Sequence, residues 1–390
     1  MSELVKPDWD PGSDEVVRDP RSAYDQLRTH CPVAYSRQLG WSLFRHEDVR
    51  RVLLDHETFS SAVSAHPSVP NGMDPPLHTV YRRIIEPYFS PARMAAFEPV
   101  CREVAATLVD AAATHGHIEL MADLARPFAV RVQCTFLGWP ATLHEPLIHW
   151  IDANRQATAA QDRPALALLA RAFEGFIDEM LQARIQRGAG PDDDITASLM
   201  HETVDGRVLT HDEIASILRN WTAGEIGTIA AAVAIVGEFL ATHPDVQAQL
   251  RAQPALLPDA IDEILRIHGP LVANRRVTLR PVTIDGRAIG VGERLSLNWI
   301  AANRDGAVFK DPDTFSLDRD PDKNLLYGLG VHVCPGAPLA RMELQIVIDE
   351  WLRRTASVEP ARGQSPVHAT YPASGFSAVP LRIQPAAQPA

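Results

Sequence analysis

Apolar residues recur every three or four positions through most of the chain between Leu77 and Leu265. That spacing predicts helices over 77–87, 91–113, 118–138, 142–159, 164–187, 192–201, 211–242 and 244–251, each bounded by Pro, Gly or Asp. Within 91–113, Met94, Phe97, Cys101, Val104 and Leu108 fall on one helical face. The segment 211–242 opens on a Thr210-x-x-Glu213 capping pattern and is apolar on most sides, which predicts a buried central helix. Elsewhere the period changes. Short helices are expected at 22–29 and 46–54, the latter with Val49, Val52 and Leu53 on one side. Residues 33–44 alternate around Gly40, and 276–289 alternate around Asp285-Gly286, as hairpins do. A strand follows at 294–300, a last helix at 337–354 and a terminal hairpin at 371–384. The stretch 60–76 is a long loop rich in Ser, Pro, Gly and Asn, which suits a binding or lid segment. Residues 1–20 and the tail after Ile383 read as irregular.

Length and composition narrow the class. At 390 residues the length prior suggests two domains, and 46% hydrophobic residues suffice for a sizeable core. The formal charge is −12 and there is no basic block, which argues against a nucleic-acid partner. The most apolar stretch, 229–240, is too short to span a bilayer, and the polar residues 1–12 resemble neither a signal peptide nor an anchor. A soluble, cytoplasmic protein is expected. Cysteines stand at 31, 101, 134 and 334, without a CxxC pair. Cys101 and Cys134 read as core residues, and Cys31, before Pro32, as a loop residue near an apolar surface.

Cys334 has a different setting. It lies in Tyr327-Gly328-Leu329-Gly330-Val331-His332-Val333-Cys334-Pro335-Gly336, just before the predicted helix at 337. The glycines allow positive φ and close approach of a flat ligand. A cysteine at a helix N-terminus meets the positive end of the dipole, which favours thiolate. The bland alternative is a glycine-rich loop around a buried structural cysteine. The segment resembles the haem-binding signature of the cytochrome P450 family, aromatic-Gly-x-Gly-x-His-x-Cys-x-Gly, with Tyr327 where Phe is usual.

The resemblance extends from about residue 14 to 384 and implies a fold that is mainly α with a small β region. One P450 domain over 1–390 is then expected, with irregular tails at 1–20 and 385–390, around one haem b (iron protoporphyrin IX) ligated by Cys334. Glu263 and Arg266 match the family's Glu-x-x-Arg pattern, with Arg319 as third partner of a structural network. His78, Arg82, Arg276 and His332 match partners of the haem propionates. Ala223-Gly224-Glu225-Ile226-Gly227-Thr228 matches the oxygen-binding groove but departs from it: Ile226 stands at the acid's position and Gly227 at the threonine's. Neither offers an exchangeable proton. Three replacements stay open: Thr228, Glu225, or the substrate's own hydroxyl or an ordered water. Glu225 lies about 200° from Gly227 on a regular helix and is expected to face away from the groove.

The implied activity is that of a haem-thiolate monooxygenase, hydroxylating or O-dealkylating a small organic substrate. Electrons would come from a separate ferredoxin and ferredoxin reductase, with Arg341, Arg353 and Arg354 as docking candidates and a monomer as the expected state. The loop 61–73, Ala223, Gly227, residues 271–274 (Leu271, Val272 and Asn274 among them) and Phe376 would line the substrate pocket. Pro335 removes one N–H beside the sulfur, which would leave more charge on the thiolate; equally, it is a favourable residue for starting a helix. The altered groove also motivates a peroxide-driven chemistry, and a haem-binding sensor without turnover is the reading from another class.

Overall fold

The structure is a computed structural model that describes residues 6–64, 68–369, 371 and 373–386. Of the expected pocket loop, 65–67 lie outside the described residues, as do parts of both expected tails. The architecture is helix-rich with small sheets, as the sequence predicts, and comprises two compact units: Met1–Thr79 with Asp262–Cys334, and Val80–Ile261 with Pro335–Ala390.

The first unit is built on a five-stranded sheet. Its order is Val33–Ser36, Gly40–Leu43, Arg294–Asn298, Ala273–Thr278, Phe59–Ser60. All pairings are antiparallel except that between Arg294–Asn298 and Gly40–Leu43. Gly40 makes that junction feasible: its φ is +72°, and a Cβ there would lie 2.6 Å from the Arg294 carbonyl oxygen. Val33, Trp41, Leu43, Leu295 and Leu297 pack with Val49, Val52 and Leu53 of the helix His46–Leu54. Each fully buried aliphatic side chain contributes roughly 1.5–3 kcal/mol. The hairpin expected at 276–289 turns at Asp285-Gly286, both with positive φ, but pairs only Val282–Ile284 with Arg287–Ile289.

A buried ion cluster fixes the route toward Cys334. Arg266 donates from Nε to Glu263 Oε2 (2.7 Å) and from Nη2 to Oε1 (2.9 Å), and Arg319 Nε donates to Oε1 (2.6 Å). The guanidinium groups also donate to backbone carbonyls: Arg266 to those of Asn303 and Pro312, Arg319 to those of Lys310, Asp311 and Thr314. Asn303 Oδ1 accepts from the Leu325 N–H (2.8 Å), two residues before the cysteine loop. The irregular segment 303–325 is thus held by charge-assisted bonds instead of a ladder.

The second unit centres on the helix His211–Thr242. Thr210 and Glu213 close a reciprocal capping box: the Glu213 N–H donates to Thr210 Oγ1 and the Thr210 N–H to Glu213 Oε2. The helix is apolar and long enough to cross a membrane, but most of it is covered by protein. Arg126–Leu137 and Ala337–Arg354 pack against it, and Pro91–Ala113 packs on both of those helices. At Gly237 a Cβ would lie 2.6 Å from Leu120 Cδ2 and Trp351 Cζ3, so glycine permits the closest approach.

Three local expectations need correction. The helix expected over 118–138 begins only after a strand, His117–Glu119, and a wide turn at Met121–Ala125. That strand pairs with Pro380–Pro385, a partner no local pattern reveals. The terminal hairpin over 371–384 does not form. Phe376–Ala378 pairs with Val367–His368, whereas Pro380–Pro385 pairs with Thr355–Pro360, because one intervening residue cannot make a hairpin turn. Among the first twenty residues, Asp14–Arg18 is helical, capped by Ser13 Oγ, which accepts from the Val16 N–H. Replacing Glu263 by Ala strands two guanidinium groups, one of them fully buried, and is expected to destabilise the fold by about 3–5 kcal/mol, read as a fall in Tm by calorimetry.

Candidate active site

In the first unit the cysteine loop is shaped by glycine. Gly328 and Gly330 have φ of +76° and +75°, and a Cβ on Gly330 would sit 2.7 Å from the Leu53 carbonyl oxygen. The loop therefore lies flat on the end of His46–Leu54. Cys334 N–H donates to the Tyr327 carbonyl (2.9 Å), which returns the chain across the loop. The Cys334 residue is exposed, whereas Cys101 and Cys134 are buried. Burial pushes the Cys134 thiol up to about 12 and the Cys101 thiol higher still, leaving both inert thiols as expected.

The cationic side chains lie below the surface. The rings of His78 and His332 are 4.2 Å apart, centroid to centroid. Arg276, on the strand Ala273–Thr278, is 4% exposed. Burial pushes its guanidinium down to about 10, an effect the Asp74 carboxylate partly offsets. Asp74 is itself held by the Ser61 N–H (2.9 Å) and the Ser60 hydroxyl. Among the described residues Arg276 has no ion-pair partner, and its recorded bond runs from Nη1 to the Arg275 carbonyl. A buried cation of this kind suits an anionic ligand group. An exposed cysteine sulfur, two imidazoles and a buried guanidinium in one unit fit a flat group bearing one metal and carboxylates.

Val272, beside this set, is buried, whereas Leu271 and Asn274 are exposed. Asn274 Oδ1 accepts from the Arg275 N–H, an arrangement local to the strand.

In the second unit, Arg82 lies one helical turn beyond His78 on Leu77–Ile85, is buried, and donates from Nε to Glu86 Oε1 (3.0 Å). On the central helix Ala223, Gly224 and Gly227 are exposed, and a Cβ on either glycine would meet no protein atom within 4 Å. Ile226 is 1% exposed and turned into the core. Thr228 Oγ1 donates to the carbonyls of Gly224 (2.8 Å) and Glu225 (3.1 Å). Phe376 is buried and stacks on His368; the adjacent Gly375, at φ +76°, approaches Ile235 of the central helix within 3.0 Å of a Cβ.

Glu225 is turned to the interior. Its carboxyl meets that of Glu343, on Ala337–Arg354, and the amide of Gln133, on Arg126–Leu137. With the amide nitrogen turned toward it, Gln133 donates to Glu225 Oε1 (2.9 Å) and Oε2 (2.5 Å). Glu343 and Gln133 did not stand out as site residues in the sequence. Their signal was an acid and an amide at positions on the apolar face of their helices. Of the docking candidates, Arg354 is engaged with Glu350 and Asp110, and Arg353 lies 3.7 Å from Asp349.

Comparison with known proteins agrees with this chemistry. Residues 162–385 match the family Cytochrome P450. The chain is 34% identical over 336 residues to a probable cytochrome P450 127A1 of Sinorhizobium fredii, covering 84% of this chain and 79% of that one. It is 32% identical over 351 residues to the cyclomarin C epoxidase CymV of Salinispora arenicola, covering 85% and 88%. The structure of cytochrome P450 CYP109Q5 from Chondromyces apiculatus superposes with a TM-score of 0.86 at 27% identity, covering 97% of this chain and 98% of that one. Members of this family bind haem b through a cysteine thiolate and act as monooxygenases on small molecules with redox partners. A glycine-turned loop presenting one cysteine, in the same unit as a buried guanidinium suited to a carboxylate, fits that cofactor, and the chain belongs to the cytochrome P450 family.

Proposed function

We propose that this monooxygenase hydroxylates or O-dealkylates a small organic substrate, with electrons delivered by a separate ferredoxin and its reductase. The observation that carries the reading is the cysteine loop: Cys334 is exposed, while His78 and Arg276 are buried and His332 is half-buried. In this reading Cys334 ligates the haem iron, and His78, Arg82, Arg276 and His332 bind its propionates. The bound haem supplies dioxygen activation and one-electron chemistry.

The chain's own part is positioning. Ala223, Gly224 and Gly227 form the oxygen-binding groove, where the absence of side chains lets a ligand reach the helix backbone. Leu271, Val272, Asn274, Phe376 and the loop 61–73 contribute the substrate pocket, and the small residues at 223 and 227 leave it room. Similarity to an epoxidase of cyclomarin C supports an organic molecule that accepts one oxygen atom. Arg341, Arg353 and Arg354 serve ferredoxin docking, and the Arg354 guanidinium also joins Glu350 to Asp110. The protein works as a soluble cytoplasmic monomer.

A second reading has one specific support. Ile226 is sealed in the core, and Gly227 has no side chain, so the usual acid–alcohol pair is absent. Peroxide could then replace dioxygen and electrons. Product formation with NADH, ferredoxin and reductase supports the first reading; product with hydrogen peroxide alone, at equal or greater rate, supports the second. Replacing Cys334 by Ser is expected to abolish the thiolate-type carbon-monoxide difference band and substrate oxidation together. An unchanged band would remove Cys334 as ligand. Pro335→Leu restores an N–H beside the sulfur and is expected to raise the reduction potential, measured by spectroelectrochemical titration.

A further inference from the structure

Glu213 carries more hydrogen bonds than a helix cap requires. The capping box uses it for the Thr210 N–H (2.7 Å). Three further donors converge on the same carboxylate: Arg207 Nη1 on Oε2 (2.8 Å), Arg207 Nη2 on Oε1 (2.7 Å) and the Tyr81 hydroxyl on Oε1. Arg207 lies on the hairpin that pairs Thr203–Val204 with Arg207–Val208, and its side chain is 50% exposed. Tyr81 lies on Leu77–Ile85 and is 3% exposed. The Arg207 bonds, with those of Tyr81 and Thr210, hold the Glu213 carboxyl down to about 2 although burial works the other way. It is therefore an acceptor at every working pH.

A second tyrosine repeats the contact further along the segment. The Tyr88 hydroxyl donates to Glu202 Oε1 (2.8 Å) and lies 2.9 Å from Ser198 Oγ. Glu202 stands just before the hairpin, and its carbonyl accepts from the Leu209 N–H (3.0 Å), which closes the hairpin's base. The two carboxylates that bracket the hairpin thus each hold one tyrosine of the same segment. Tyr88 has other support. Its ring packs against Trp221 of the central helix (5.5 Å between centroids) and under the Arg93 guanidinium. Among the described residues Tyr81 has no such ring contact, so its hydroxyl bond is the specific link.

What the mooring sets is rotation. Leu77–Ile85 has nine residues, with Pro75-Pro76 before it and Pro87 in the turn that follows. So short a helix has little length on which packing can fix its angle about its own axis. Tyr81 and Tyr88 are about two turns apart and fall near one side. Arg82 is next to Tyr81, about 100° round, and shares its side with Glu86, whose Oε1 accepts from Arg82 Nε (3.0 Å). A rotation that releases Glu213 swings Arg82 by the same angle. The moored residues, from Tyr81 to Glu213, all belong to the second unit.

Resting on the reading of Arg82 as a propionate partner, we propose that Tyr81 and Glu213 are its positioning residues. Their bond fixes the turn of Leu77–Ile85 about its axis and so the aim of the Arg82 guanidinium at a haem propionate. Arg207 makes the exposed hairpin a handle on that aim. The device acts by geometry alone. Arg82 is buried, so a misdirected guanidinium would neither meet its carboxylate nor return to water, and the hold on the cofactor would weaken. Arg207 acts at one remove: without it Glu213 keeps Thr210 and Tyr81 but loses its bidentate clamp.

The test uses the haem-containing protein and its Tyr81→Phe, Glu213→Gln, Arg207→Ala and Arg82→Ala variants, with the double variant Tyr81→Phe/Arg82→Ala. Haem loss is followed as transfer to excess apomyoglobin, well below each variant's Tm. Tyr81→Phe keeps the ring and removes only the hydroxyl. It should speed haem loss about 3- to 10-fold, with Glu213→Gln similar and Arg207→Ala smaller in the same direction. Arg82→Ala should speed it further, and adding Tyr81→Phe to Arg82→Ala should change nothing more. Resonance Raman propionate bending bands should shift in Tyr81→Phe as in Arg82→Ala. Multiplying effects in the double variant, or unshifted bands in Tyr81→Phe, overturn the positioning role, since a merely structural bond gives both. Haem loss at the wild-type rate in Arg207→Ala overturns the hairpin's part. Unchanged haem loss in Arg82→Ala would instead overturn the propionate reading on which the positioning role depends.

Discussion

A single buried carboxylate, Glu263, holds two guanidinium groups, and the long irregular approach to Cys334 hangs from them. Segment 303–325 has no sheet or long helix to define it. It is fixed because Arg266 and Arg319 spend their remaining N–H groups on its carbonyls and because Asn303 passes the register to Leu325. Burying a planar cation against a carboxylate is tolerable when most of its donors are used, and here bidentate geometry and backbone acceptors engage every guanidinium nitrogen. The loop that follows can then be shaped by glycine alone, since its entry point is already set.

The same physics gives a different outcome on the central helix. Glu225 and Glu343 are buried like Glu263 but have no guanidinium beside them. Their stable state is the one with fewer charges, reached by retaining protons instead of recruiting cations. One acid therefore organises backbone through ion pairing, while two others meet each other without a cation and are pushed toward their neutral forms. The Arg276 guanidinium is the cationic counterpart: buried, lacking an ion-pair partner among the described residues, and held down to about 10. These sites are the places where local electrostatics and burial disagree, and such disagreement marks function more often than packing does.

Much of this was legible before any coordinates. The helix 211–242 was bounded correctly because its cap and its apolar run are both local signals. The turn at Asp285-Gly286 and the helix Ala337–Arg354 were legible for the same reason. His117–Glu119 was not, since its strand state is imposed by Pro380–Pro385, more than 260 residues away. The cysteine loop could be read because its glycines are demanded by backbone geometry. The interior orientation of Glu225 was legible from helical angle, but its partners were not. Glu343 belongs to another helix, and only packing reveals that two acids meet.

Ile226 and Gly227 lie in opposite surroundings on the central helix, the first buried and the second exposed. An acid at 226 would project to a side that the structure seals, and a proton there would have no exit except through the core. The acid at 225 instead meets Gln133 and Glu343 in the interior, while the Thr228 hydroxyl donates to the backbone carbonyls of Gly224 and Glu225. Gly227 then keeps the groove open without serving as donor. The helix differs around its circumference: glycine and alanine leave one side open to close approach, while the Glu225 carboxyl and Ile226 are turned to the packed interior. Pro335, on the chain just past Cys334, lacks an N–H and stands just before the helix Ala337–Arg354, physically independent of the central helix's two sides.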